Sequence, residues 1–165
     1  MTATPASRRL RDRLAAFLRL PRFERCLLLP TWMVLGLARA AVLGLGFRRL
    51  APWLGRRVAL PPPLPALDAR AQRRALQIGR TLRLAARHTP WRSNCLVQAL
   101  AACCLLGLFR VAHVLCFGVA RTADASRQLQ AHAWVVAGSL RVTGGGGIER
   151  FAQVGCFVAR AGPAR

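Results

Sequence analysis

The stretch Trp91-Arg92-Ser93-Asn94-Cys95-Leu96-Val97-Gln98-Ala99-Leu100-Ala101-Ala102-Cys103-Cys104-Leu105-Leu106-Gly107-Leu108 decides the fold. From Cys95 to Leu108 only Gln98 is polar, so a helix formed here is apolar on nearly every face and belongs inside a core. Ser93 or Asn94 suits its N-cap, and Gly107 is a stop signal near its end. The following sequence changes period. Val111–Ala120 is valine-rich, with Leu115, Phe117 and Val119 alternating, and reads as a strand. After a polar loop at Thr122–Gln130, Ala131–Ala137 and Leu140–Thr143 read as two strands about the turn Gly138-Ser139. Gly144–Gly147 interrupts before a last short strand around Phe151–Val154. A buried helix followed by an antiparallel sheet is an α+β domain.

Working outward, Ala66–His88 reads as a helix with Asp68 near its start and Leu76, Gly79, Leu82 and Ala86 on one face. Pro61-Pro62-Pro63-Leu64-Pro65 is a stiff extended linker, because stacked prolines fix φ and exclude helix. Residues 7–57 read as two or three helices, continuing through Pro30. The expected organisation is a helical N-terminal extension at 1–60, a linker at 61–69 and a domain at 70–165. No signal peptide is expected. The apolar run between Arg25 and Arg39 is only 13 residues long and contains Pro30, so no membrane span is expected there. Interfacial attachment of this region stays open.

Of 165 residues, 26 are basic, all of them arginine, against 5 acidic, for a formal charge of +21. Such a charge attracts nucleic acid, an acidic membrane face or an acidic peptide. The arginines are scattered through every segment, and no basic helix face or aromatic stacking motif accompanies them. Specific nucleic-acid binding is therefore not expected. The cysteines show neither disulfide-framework nor zinc spacing, so Cys26, Cys103, Cys104, Cys116 and Cys156 read as buried thiols in a reducing compartment. No residue pattern requires a cofactor or metal, and none speaks to a nucleotide.

Cys95 stands apart. At the first turn of a helix, free backbone N–H groups and the dipole favour a thiolate, and the Cys95 N–H can hold an oxyanion. Gln98, one turn later, is a weaker oxyanion candidate. His132, in Ala131-His132-Ala133-Trp134 on a strand, is the candidate base.

Pro90-Trp91-Arg92-Ser93-Asn94-Cys95-Leu96-Val97-Gln98-Ala99-Leu100, then Phe117-Gly118-Val119, then Ala131-His132-Ala133-Trp134-Val135 closely resemble the transglutaminase-like domain of bacterial lasso-peptide leader peptidases, the microcin-processing family. The resemblance covers roughly residues 70–157, and the leucine-rich helices of residues 10–60 resemble the family's N-terminal part. It implies a papain-like cysteine protease core. The implied activity removes the leader from a ribosomally made precursor, with Cys95 as nucleophile and His132 as base. The implied partners are the precursor peptide, a separate leader-binding protein and a macrolactam-forming cyclase.

One position departs from the family pattern. Members complete a triad with an aspartate a dozen residues after the histidine, which falls here on Gly144. A two-residue turn at Gly138-Ser139 sets His132 opposite Gly145, also glycine. Glu149, the only carboxylate downstream of His132, is the candidate third member; Asp124 lies upstream in the loop. A backbone carbonyl, Thr143 or water are the other ways to hold the ring. Two further readings remain: a non-catalytic scaffold of the same fold, and a membrane-associated interaction protein in which residues 14–55 matter more than Cys95.

Overall fold

The computed structural model describes residue 15 and residues 17–121 and 128–159. Its elements are α1 (Arg22–Leu50), a 3-10 turn (Ala51–Leu54), β1 (Arg56–Val58), α2 (Ala69–Ala86) and α3 (Cys95–Leu108). There follow β2 (His113–Arg121), β3 (Leu129–Ala137), β4 (Leu140–Arg141), a 3-10 turn (Ile148–Arg150) and β5 (Ala152–Ala159). The strands form one antiparallel sheet in the order β1-β5-β2-β3-β4. The expected α+β architecture is the one found.

The sheet buries unequal cores on its two faces. On one, Leu115, Ala133, Val135 and Ala137 pack with Val97, Ala101 and Leu105 of α3, Ile78 and Leu82 of α2, and Leu27 and Leu35 of α1. On the other, Val114, Cys116, Trp134, Phe151 and Cys156 form a smaller cluster. Alternation along β3 produces this division: Ala133 and Val135 face the helices, while Trp134 faces away.

α3 has the expected bounds, but not every face is covered: Cys104, Gly107 and Leu108 are exposed. Cys26 is also exposed, so two of the thiols expected inside are not, each lying on the outer side of its helix. Cys116 and Cys156 are buried and paired across β2 and β5, with their sulfurs 2.7 Å apart. In that pair the Cys116 thiol is pushed up and the Cys156 thiol down, because the proton left on one stabilises the thiolate of the other.

In α2, the side chain of Asp68 accepts from the Ala71 N–H at 2.7 Å, which fixes the start. Its buried stripe runs Ala75, Ile78, Thr81, Leu82 and Ala85, with Gly79 beside them. Of the expected face, Gly79 and Leu82 are buried and Ala86 packs on the core, while Leu76 is exposed because Ala75, beside it, takes the inward place one turn before Gly79. Thr81 is tolerated there because its hydroxyl donates to the Gln77 carbonyl at 2.8 Å. α1 runs through Pro30 and breaks at Gly46, whose φ of 69° only glycine adopts without strain. Residues 1–14 and 16 lie outside the described residues.

The hairpin register is as expected at Ala137↔Leu140 and Val136↔Arg141. Beyond it the ladder slips. The N–H groups of Val142 and Thr143 both point to the Val135 carbonyl, at 2.9 and 3.4 Å, which is the signature of a bulge. The strand expected to reach Thr143 therefore ends at Arg141, and Gly144 comes to lie beside Trp134.

His113, at the start of β2, is buried, and its Nδ1–H donates to the Val111 carbonyl at 2.9 Å. Burial lowers its pKa below the ordinary 6.5. A base whose folded pKa is depressed stabilises the fold above its unfolded pKa and loses that contribution as pH falls. Stability should therefore drop below about pH 6.5, by up to about 1.4 kcal/mol per pH unit. Urea melts between pH 7.5 and 5 check this, and His113→Gln should flatten the dependence.

Candidate active site

The turn before α3 is held from three directions. Thr89 Oγ1 lies 3.1 Å from the Ala86 carbonyl, 3.0 Å from the Trp91 carbonyl and 3.0 Å from Ser93 Oγ. Gln98 reaches back to donate from Nε2 to the Ser93 carbonyl at 2.7 Å. α1 braces the outside: Trp32 packs on Trp91 with ring centroids 4.8 Å apart, and Arg39 donates to the Arg92 carbonyl at 3.1 Å. A Cβ at Gly36 would come within 3.3 Å of the Trp91 ring. The indole of Trp91 is thus a structural wedge between α1 and α3.

That turn presents Cys95 as the first residue of α3, half-buried. Asn94 is the cap, its Oδ1 accepting from the Val97 N–H at 3.0 Å. The N–H groups of Cys95 and Leu96 then have no acceptor within the helix and remain available to a developing oxyanion. The Gln98 amide already holds Ser93, which gives this side chain a positioning task in addition to the oxyanion role expected of it. Asn94→Ala should lower stability by about 1 kcal/mol, read in a thermal melt, because Val97 loses its acceptor.

His132 sits on β3, half-buried. Its Nε2 is 2.9 Å from the Gly144 carbonyl. A carbonyl only accepts, so Nε2 carries the hydrogen and the neutral ring keeps its lone pair on Nδ1. That is the tautomer a general base needs. The ring stacks on Phe151, with centroids 4.8 Å apart, and lies 6.1 Å from Trp134. Trp134 is 2% exposed and packs rather than meeting solvent. Gly118, opposite His132 on β2, must be small: a Cβ there would sit 2.9 Å from both the Trp134 ring and Phe151 Cβ.

The sequence candidates are only partly brought together. α3 packs on the Ala133 and Val135 face of β3, whereas His132 shares the face of Trp134. No hydrogen bond joins Cys95 Sγ to the His132 ring among the described residues. β4 pairs only with Val136 and Ala137, so the flank of β3 beside His132 carries the glycine run instead of a strand. The Glu149 side chain is 75% exposed and meets Arg141 at 3.4 Å, not His132. Thr143 Oγ1 accepts from the Val135 N–H at 3.1 Å. Asp124 lies outside the described residues. Of the ways to hold the ring, the one present is a backbone carbonyl, that of Gly144. Sequence reasoning reached this residue as the vacant acid position. It did not reach Phe151, which no motif marks.

A model of the transglutaminase-like superfamily matches residues 37–156.

The chain belongs to the transglutaminase-like superfamily.

The match begins inside α1 and ends in β5, so it takes in Cys95, His132, Gly144 and Glu149. A search of curated proteins and a search of solved structures each return no match. The transglutaminase-like fold typically carries cysteine-hydrolase chemistry. In this member the described residues contain no cluster of His, Cys, Asp or Glu able to hold a metal ion.

Proposed function

We propose that this transglutaminase-like protein is a cytoplasmic cysteine peptidase that removes the leader from a ribosomally synthesised lasso-peptide precursor. The observation that carries the reading is Cys95 at the capped start of α3, inside the matched domain, within the Pro-Trp-Arg-x-x-Cys-Leu pattern. His132 Nδ1 takes the Cys95 proton, and the thiolate attacks the carbonyl carbon of the leader–core bond. The oxyanion settles on the Cys95 N–H, and His132 returns the proton to the departing amine of the core. Water, deprotonated by His132, then releases the leader acid and restores the thiol.

The reading requires His132 to approach Cys95 around the unpaired flank of β3. In free enzymes catalytic hydrogen bonds are often long or poorly aligned and tighten only with substrate in place. In the resting geometry the Gly144 carbonyl holds the ring, and the reading needs that bond to be kept as the edge of β3 and the glycine run shift together; Glu149 serves in that role only if the glycine run rearranges. The partners are the precursor, a separate leader-binding protein and the macrolactam-forming cyclase.

Purified protein mixed with precursor and the leader-binding partner should release the core peptide, read by mass spectrometry, and Cys95→Ala should not. Equal release by both would sink the peptidase. No release by either would favour the scaffold of the same fold, which a pull-down of precursor and cyclase would then show.

A further inference from the structure

α1 offers two apolar faces, and only one is used by the fold. Leu27, Thr31 and Leu35 are 6%, 0% and 0% exposed and pack inward. Leu29, Met33 and Leu37, two residues further on and so on the opposite side of the helix, are 68%, 57% and 67% exposed. The exposed row continues into an apolar groove of about 480 Å³ lined by Leu37, Ala41, Trp53, Leu100, Cys103 and Cys104. Trp53 at its rim is 88% exposed. Arginines stand at both ends of the row: Arg22 at one, and Arg48, Arg49, Arg56 and Arg57 at the other. All five are exposed, and none is ion-paired among the described residues.

We infer that α1 and Trp53 dock flat on an anionic lipid surface, with the Leu29, Met33 and Leu37 row in the acyl boundary and the arginines on the headgroups. By length and composition alone, the segment Arg22–Leu54 could instead cross a bilayer, an 18-residue window within it having a mean hydropathy of 1.8. Packing decides against that arrangement. A crossing would strip Leu27, Thr31 and Leu35 from α2 and α3, and would carry Glu24 away from Arg80, 3.9 Å distant, into hydrocarbon. A helix that carries the fold on one side and an apolar row on the other lies in the interface. The charge selects the partner: 26 arginines against 5 acids suit an anionic headgroup layer, and an indole beside arginines suits the interfacial depth. The inference stands apart from the peptidase reading, since it concerns no residue of the candidate active site.

The test is flotation of the full chain with vesicles of phosphatidylglycerol and phosphatidylcholine, against phosphatidylcholine alone. Binding should require phosphatidylglycerol and weaken in high salt, and losing one headgroup-contacting arginine should cost about fivefold in partitioning. An alkaline carbonate wash should release the protein. Met33→Glu combined with Leu37→Glu should cut partitioning at least about tenfold with an unchanged thermal melt. Should that variant melt early, Trp53→Ala decides, because Trp53 is too exposed to support the core. Failure to float, equal flotation on neutral vesicles, resistance to carbonate, or variants that float like the parent would each overturn the inference.

Discussion

Cys95→Ala is expected to lower precursor cleavage by at least about 10³-fold, to the level of precursor alone. A nucleophile deleted from a complete triad costs roughly 10⁶ in rate, since the remaining groups then have nothing to activate. The drop here should be smaller because the intact protein starts lower. Gly144 offers His132 a carbonyl where the resemblance implies a carboxylate. A carbonyl still fixes the tautomer and the ring plane, which is the larger part of the acid's task. It lacks the charge that steadies the imidazolium formed when the thiol loses its proton. Losing the orienter outright costs about 10⁴-fold in the serine-protease case, where the wrong tautomer results. With the tautomer kept, the handicap should fall well short of that. Cys95→Ser should behave nearly as Ala does, because a hydroxyl is a far weaker nucleophile than a thiol and gives up its proton far less readily. Single-turnover cleavage of a labelled precursor measures the ratio. A wild-type rate from the alanine variant would remove Cys95 from the chemistry.

Gly144→Asp is the obvious attempt to restore a triad, and it should fail by destabilising the protein. Gly144 has φ +103°, a conformation that costs a residue with a side chain about 1–3 kcal/mol. Its new Cβ would overlap Cβ of Trp134, which is buried and cannot retreat. Overpacking of this kind adds a further 1–3 kcal/mol or so. The combined loss of about 2–6 kcal/mol should appear in a urea melt. Gly144→Ala should show most of it, because the strain belongs to the Cβ and not to the carboxylate. Cleavage should fall as well, since a shift of residue 144 moves the carbonyl from His132 Nε2. A Gly144→Asp protein that is stable and faster would show that the carbonyl only fills in for a missing acid.

Much of this was readable from residue types. The apolar run from Cys95 to Leu108 and the cap at Asn94 placed α3 correctly, because local periodicity and capping chemistry act over single turns. The turn at Gly138-Ser139 fixed the first two pairs of its hairpin for the same reason. The site's third member was beyond reach, because it depends on a one-residue slip after Arg141 that sends Val142 and Thr143 to one carbonyl. Glycines carry no side chain whose pattern could announce such a slip. On α2 the expected Gly79, Leu82 and Ala86 do meet the core and only Leu76 does not, since an alanine-rich helix presents several rows of similar apolarity and the partners across the interface choose among them. The two-sided apolarity of α1 was visible as composition, but which row turned inward was decided by α2 and α3.

The sheet also sets an order on biosynthesis. Among the described residues β1 is the first strand, yet its only neighbour is β5, about 100 residues later. While the ribosome is still making the chain, Arg56–Val58 has no strand to join, and the cover that α2 and α3 give α1 arrives only as those helices emerge. A leucine- and tryptophan-rich segment therefore stays uncovered until α2 and α3 have been made, and β1 stays unpaired longer still, until β5 follows.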